Sequence, residues 1–393
     1  MSPGWIVTFA SMLALGIIFG ASYSFGAFFA VLSESFQAQR ADVSLMFGLA
    51  GFLYFVAGAA GGIAAVRLGP RLVASCGMVF IGLGAIAASR AETLEEIYWT
   101  YGLGIGLGIA LVYTPVMGAV PPWFTKHRSL ASGVASAGIG LGTLIIPPLV
   151  SLGIRHLAWR ETMFYLGLGA MLLGLIATSQ IRMPHQAGAQ QQRLSGMSLR
   201  EALSSKPFWL LFGICTIAGP SLFFPFAHLI QFARDQGVGE VQAVSTIGFI
   251  GIGSIAGRFL IGFFADRYGR LVTMAVSNAI LACCLLIWLL DPGWLGLMLF
   301  ALCFGLSYGS VVALFPPICM DFFGARAVTG ILGLVYSGAG IGNLLGPVGA
   351  GALFDRFGNY NLAVVIAVAC ASVAVLLCFL LSRWKQRSQP VMY

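Results

Sequence analysis

Long apolar stretches, broken by short polar or Pro/Gly punctuation, follow one another from one end of this chain to the other. Each is continuous rather than alternating with a period of two. Each is also long enough for a helix to cross roughly 30 Å of hydrocarbon, which takes about 20 residues. The pattern predicts twelve membrane helices, over 5–33, 42–66, 71–89, 97–123, 128–153 and 161–181, then 207–233, 240–265, 270–290, 294–319, 326–354 and 360–382. Between the two groups lies a polar segment, Arg182 to Lys206, with the run Gln190-Gln191-Gln192 and no apolar core; it is the single candidate linker. The expected organisation is an all-α membrane protein with a six-helix half over 1–181, a linker on the inner side over 182–206 and a second six-helix half over 207–393. The first apolar stretch runs on to Leu32, too long for a signal-peptide core, and is expected to stay as a span.

Composition agrees with lipid as the solvent. Hydrophobic residues make up 59% of the chain and charged residues 9%, whereas a soluble domain carries roughly 25% charged residues. The eight cysteines all fall in apolar stretches, with no CxxC pair and no neighbouring histidine cluster, so neither a metal site nor a disulfide framework is read and no cofactor is expected. An even number of spans places both termini on one side. With the termini inside, fourteen cations flank the inner span ends and six, Arg40, Arg90, Arg155, Arg160, Arg234 and Arg356, the outer ones. That excess is what the positive-inside rule asks for. Ten acids lie outside against three inside, Glu201, Asp266 and Asp321. The net charge of +8 is thus a topology signal rather than a nucleic-acid surface. The expectation is a multi-pass monomer of a cell's inner, cytoplasmic membrane, both termini cytoplasmic, with no obligate protein partner.

Two stretches recur at an offset near 200: Gly62 to Arg71 answers Gly262 to Arg270, and Ala137-Gly-Ile-Gly140 answers Ala339-Gly-Ile-Gly342. Paired six-helix halves are an arrangement in which a substrate site sits at the bilayer midplane and alternates its access. Glycines such as Gly102, Gly104, Gly106 and Gly108 fit helices that approach closely and slide, although close packing alone would also want them.

With twenty cations and all thirteen acids in loops or at span ends, one ion is left inside the apolar stretches: Arg258, eight residues before Asp266. At 1.5 Å per residue that is about 12 Å of helix, too deep to snorkel easily. A mid-helix arginine costs about 2.5–3.5 kcal/mol and needs an anion, a carbonyl or water for company. No Asp or Glu shares the apolar stretches with it. Either helix-end carbonyls cap it across a packed interface, or it is a fixed charge that receives a substrate carboxylate, for which a guanidinium fork is suited. One cation suits a monoanion. Ser254, four residues earlier, shares its helix face. Tyr23, Tyr113, Tyr308 and Tyr336 are placed either to line a midplane cavity or to bond neighbouring helices, and Asn278 and Asn343 read as contacts between helices. His228 is the one histidine inside a span; it is a proton-coupling candidate, or an interfacial residue about five positions from the outer end, where water reaches it.

These residues resemble the monocarboxylate transporter family of the major facilitator superfamily, in a bacterial form. Trp123-Phe-Thr-Lys-His-Arg-Ser-Leu-Ala-Ser-Gly133 is similar to the family's loop before the fifth span. Asp321-Phe-Phe-Gly324, Gly333-Leu-Val335, Leu344-Leu-Gly-Pro347 and Asp355-x-x-Gly358 resemble its tenth-to-eleventh-span region. Gly262 to Arg270 matches the superfamily's gating motif, which implies gating roles for Asp266, Arg267 and Arg270. The resemblance implies proton-coupled movement of lactate, pyruvate or similar monocarboxylates, with Arg258 on the carboxylate. Two positions depart from the family: its first-span lysine falls at Ala27 and its eighth-span aspartate at Ser254, so the residues tied to proton coupling are missing. No cation follows Tyr336, where the related oxalate exchangers carry one.

The leading expectation is therefore a symporter of a small monocarboxylate and a proton. Behind it stand an organic-anion exchanger or efflux carrier without a proton, and more remotely a transport-dead carboxylate sensor signalling through 182–206 or the tail. No nucleophile–base pair or metal cluster falls within the spans, which speaks against an enzyme.

Overall fold

The computed structural model describes residues 2–124, 128–184, 196–290, 292–324 and 326–388. Lys126 and His127 of the loop before the fifth span, and 185–195 of the linker with His185, Gln190 to Gln192 and Arg193, lie outside the described residues. Among the described residues, twelve helices are long and apolar enough to cross a membrane: Pro3–Phe36, Arg40–Leu68, Pro70–Ala88, Leu94–Trp123, Leu130–His156, Trp159–Ser179, Lys206–Asp235, Glu240–Tyr268, Arg270–Leu290, Gly293–Phe323, Val328–Phe357 and Asn361–Trp384. All twelve expected spans are present, most of them longer than the apolar run alone. The extra turns come from caps. Gln39 and Asp42 form a reciprocal box that starts the second span at Arg40. Gly69 and Gly269, at φ +87° and +90°, end the second and eighth spans in a conformation that favours glycine, and the next helix begins at once.

Two spans carry local irregularities. The first is interrupted at Ser24, whose Oγ donates to the Gly20 carbonyl at 2.7 Å beside the Ser24 N–H at 3.1 Å, a side-chain contact of the kind that bends helices. The fourth contains a π turn over Tyr98–Leu103. In the linker, Leu199–Leu203 forms a short helix closed by a Ser198–Glu201 capping box. The Ser198 donors hold the Glu201 carboxyl below the usual carboxylate range. Met197 N donates to the Phe323 carbonyl at 2.8 Å, tying this segment to the end of the tenth span.

The second span lies along the eleventh and the fifth along the eighth, joining the first six spans to the last six. Leu13, Val66, Leu172, Phe263, Leu295 and Leu376 are among many large apolar side chains exposed on the bundle. Such a surface suits a hydrocarbon solvent.

The face opposite the termini is shut by polar contacts between the two groups. Arg40 grips Asp235 of the seventh span with both terminal nitrogens, at 2.7 and 2.9 Å. It also donates to Tyr360 Oη at 2.7 Å and lies over the Phe354 ring at 3.6 Å. The backbone N–H groups of Arg40 and Ala41, orphans at a helix start, donate to the Asp355 carboxylate at 3.0 and 2.9 Å. Below this lid, Phe25, Phe28, Phe29, Phe224, Phe226 and Phe304 form a closely filled core between the first, seventh and tenth spans.

Candidate central site

Arg258 owes its place to two glycine pairs. Gly253 and Gly257 flank it on the eighth span, and Gly305 and Gly309 answer from the tenth. A Cβ on Gly257 would stand 2.2 Å from the Leu306 carbonyl oxygen, and one on Gly309 2.3 Å from that of Ser254. Only bare backbone allows this approach, and it brings Tyr308 up to the arginine. The guanidinium carbon lies 5.8 Å from the Tyr308 ring centroid.

Arg258 is buried, with 7% of its surface exposed. Nη1 donates to the Ser254 carbonyl at 3.1 Å and to the Ser254 hydroxyl. Nη2 is buried and has no hydrogen-bond partner among the described residues. The capping alternative is thus met on one nitrogen only, and from its own helix. One arm of the guanidinium is anchored and the other keeps donors that a carboxylate's oxygens would satisfy.

The tyrosines divide in two. Tyr23 and Tyr308 share a hydroxyl–hydroxyl hydrogen bond of 2.6 Å between the first and tenth spans, and Tyr23 stacks on Phe226 at 4.0 Å. They close the site toward the sealed face. Tyr113 and Tyr336 are half-buried, Tyr336 reaching the Val312 carbonyl at 3.5 Å. Sequence reasoning missed three further rings. Phe19 lies 5.8 Å from Tyr113 and 6.1 Å from Tyr54, and Phe55 lies 6.0 Å from Tyr336. These rings, set among apolar neighbours in the sequence, gave no signal there.

The remaining candidates stand elsewhere. His228 is fully buried in the sealed face, not water-exposed as its distance from the span end suggested. The seventh span continues to Asp235, and Arg40 and Tyr360 roof it over. His228 Nε2 faces the Pro347 carbonyl at 2.9 Å and Ser44 Oγ at 3.1 Å, and Nδ1 faces Tyr360 Oη at 2.9 Å. A carbonyl only accepts, so Nε2 carries the hydrogen and Nδ1 accepts from Tyr360, a neutral tautomer assigned from its partners. Near the opposite face, Arg270 pairs with Asp321 and donates to the Pro317 carbonyl at 3.0 Å, all within the last six spans. Arg267 lies over Tyr268 at 5.6 Å, and Asp266 makes no ion pair among the described residues. Asn343 Nδ2 points at the Phe47 and Gly48 carbonyls of the second span, at 3.4 and 3.5 Å, whereas Asn278 bonds its own helix at Met274. Among the described residues no group of three His, Cys, Asp or Glu is placed to hold a metal.

Comparison with known proteins places this geometry in a lineage. The chain is 27% identical over 374 residues to monocarboxylate transporter 13 of Bos taurus, covering 93% of this chain and 86% of that protein. It is 29% identical over 386 residues to monocarboxylate transporter 11 of Homo sapiens, covering 93% and 80%. These relatives are animal proteins, whereas the resemblance was read in a bacterial form. Among solved structures, a bacterial homologue of the human lysosomal transporter Spinster, inward-facing and occupied, superposes with a TM-score of 0.74 at 17% identity over 98% of both chains. The same protein, inward-facing and unoccupied, gives 0.75 at 16% over the whole of both; at these identities the likeness concerns the fold. The family model of the Major Facilitator Superfamily matches residues 5–334, and the chain belongs to that superfamily, as a membrane transporter related to the monocarboxylate transporters and not an enzyme.

Proposed function

We propose that this protein is a secondary active carrier of small monocarboxylates of the lactate and pyruvate type, with Arg258 as the carboxylate receptor and alternating access between the two six-helix groups. The observation that carries the reading is the buried, unanswered Nη2 of Arg258. Proton symport belongs to the proposal: a carboxylate entering with a proton crosses as a neutral pair and avoids moving charge through a field worth about 2.3 kcal/mol per 100 mV. A monomer in a cytoplasmic membrane with both termini inside is part of the proposal, and the cation asymmetry of the span ends supports that orientation. The test is L-lactate uptake into proteoliposomes with an imposed acid-outside gradient. Uptake stimulated by the gradient and reduced about tenfold or more in Arg258→Gln supports the proposal; unchanged uptake in that variant ends it.

A second reading, anion exchange or efflux without a proton, is favoured by two observations. Ala27 and Ser254 stand where the family has its coupling lysine and aspartate, and His228 is locked into the sealed face. Counterflow that requires anion on both sides and ignores the pH gradient would select it.

A further inference from the structure

An unbroken sequence of aromatic rings, more than a three-carbon acid has use for, runs from Arg258 across the centre of the bundle. Tyr308, beside Arg258, shares its hydroxyl hydrogen bond with Tyr23, and from Tyr23 the rings run through Phe19, Tyr54 and Phe55 to Tyr336 at successive centroid separations of 5.7, 6.1, 4.0 and 6.0 Å. Tyr113 joins at Phe19, 5.8 Å away. They come from the first, second, fourth, tenth and eleventh spans, so the set surrounds the centre from both groups.

Three of these rings are not packed away. Phe55, Tyr113 and Tyr336 are half-buried although each touches the buried ring set, while Tyr23 and Tyr308, on the side of the sealed face, are fully covered. The exposed ring faces therefore border a space that opens away from that face. Two hydroxyls border it as well: Tyr54 and Tyr113 have no hydrogen bond among the described residues, and neither oxygen is one of the fully covered atoms left without a partner. Ring edges and faces pair favourably with another ring at 4.5–7 Å, and a space with such walls and one cation fits a flat apolar body on a carboxylate head. All thirteen acids lie outside the apolar stretches, so an ammonium group on the ligand would find no counter-ion.

Building on the monocarboxylate reading of Arg258, we infer that the preferred cargo is an aryl-substituted 2-hydroxy or 2-oxo monocarboxylate, its carboxylate on Arg258 and its ring against Phe55, Tyr113 and Tyr336, and that zwitterionic amino acids are refused. The experiment uses the full chain in proteoliposomes, with labelled L-lactate competed by unlabelled 3-phenyllactate, phenylpyruvate, acetate and phenylalanine. The aryl acids are expected to compete at least about tenfold better than unlabelled lactate, and phenylalanine not at all. Phe55→Ala should lower the aryl-to-lactate preference about fivefold. In parallel, phenylpyruvate should raise the melting temperature of the detergent-purified carrier more than lactate does, a readout that does not require flux. Aryl acids that compete no better than acetate, with lactate still carried through Arg258, would overturn the aryl preference and leave the monocarboxylate reading standing. Lactate and aryl transport both indifferent to Arg258→Gln would overturn the reading beneath it. Neither flux nor melting shift with any aryl acid would also overturn the inference.

Discussion

At Arg258 the chain keeps an ion where an apolar residue would cost less. One terminal nitrogen is held by Ser254 and the other is left bare in a buried position. Such an arrangement is unfavourable for the empty protein, because a desolvated charge is only partly compensated, and favourable once a carboxylate arrives. Stability and activity should therefore move in opposite directions. Arg258→Gln is expected to leave the melting temperature of the detergent-purified protein unchanged or higher while reducing lactate uptake by about one to two orders of magnitude, the loss expected for a charge-assisted hydrogen bond worth about 1.5–3 kcal/mol. Arg258→Lys keeps the charge without the fork and should retain more uptake than Gln, with a raised KM. A melting temperature that collapses along with uptake in Arg258→Gln would mark the arginine as a structural residue.

Among the helices, glycine placement decides which side chains can meet. The approach of the eighth and tenth spans depends on Gly257, where an added Cβ would meet the Leu306 carbonyl oxygen at 2.2 Å. Gly262, one turn and a residue further on, has nothing within 4 Å. Gly257→Ala should destabilise by about 1–3 kcal/mol, the usual range for overpacking, and Gly262→Ala should not. Thermal melts of the two variants in the same detergent check this, and equal melts would show that the spans part without penalty. The spans themselves were legible in the sequence because lipid imposes one length and one polarity on every crossing element. Arg258 was legible for the same reason: in a chain so short of charge, a buried ion has few explanations. Contacts between distant positions were not legible. Tyr23 and Tyr308 stand 285 residues apart, and Arg40 and Asp235 stand 195 apart; nothing along the chain pairs one with the other until both helices are in place. His228 was misplaced because distance from a span end measures depth along one helix and not cover by its neighbours.

For the whole molecule, the cations counted at the outer ends include one that joins the two groups of spans. Arg40 meets Asp235, Asp355 through its backbone, Tyr360 and the Phe354 ring, and Tyr360 passes the connection inward to His228. Each contact that Arg40 makes with the last six spans must break for a carrier to open on that face, so the cluster biases the equilibrium toward the closed arrangement seen here. A solvent-exposed ion pair is worth little; this one is two-pronged and partly covered, with side-chain exposures of 16% and 31%, and a cost nearer the upper part of that range is expected. Phe29 reports on the opening: it is 1% exposed and packs 5.3 Å from the His228 ring. In a background lacking the eight native cysteines, Phe29→Cys should react slowly with a membrane-impermeant maleimide. Adding Arg40→Ala should speed the reaction about fivefold or more, as about 1 kcal/mol of bias is removed. Asp235→Asn should do nearly the same, and the double variant should add less than twofold to either, since the two side chains act through one bond. Labelling that stays at the parent rate in all three would mean the polar lid is an ornament of the closed state, and that the phenylalanine core beneath it alone holds the face shut.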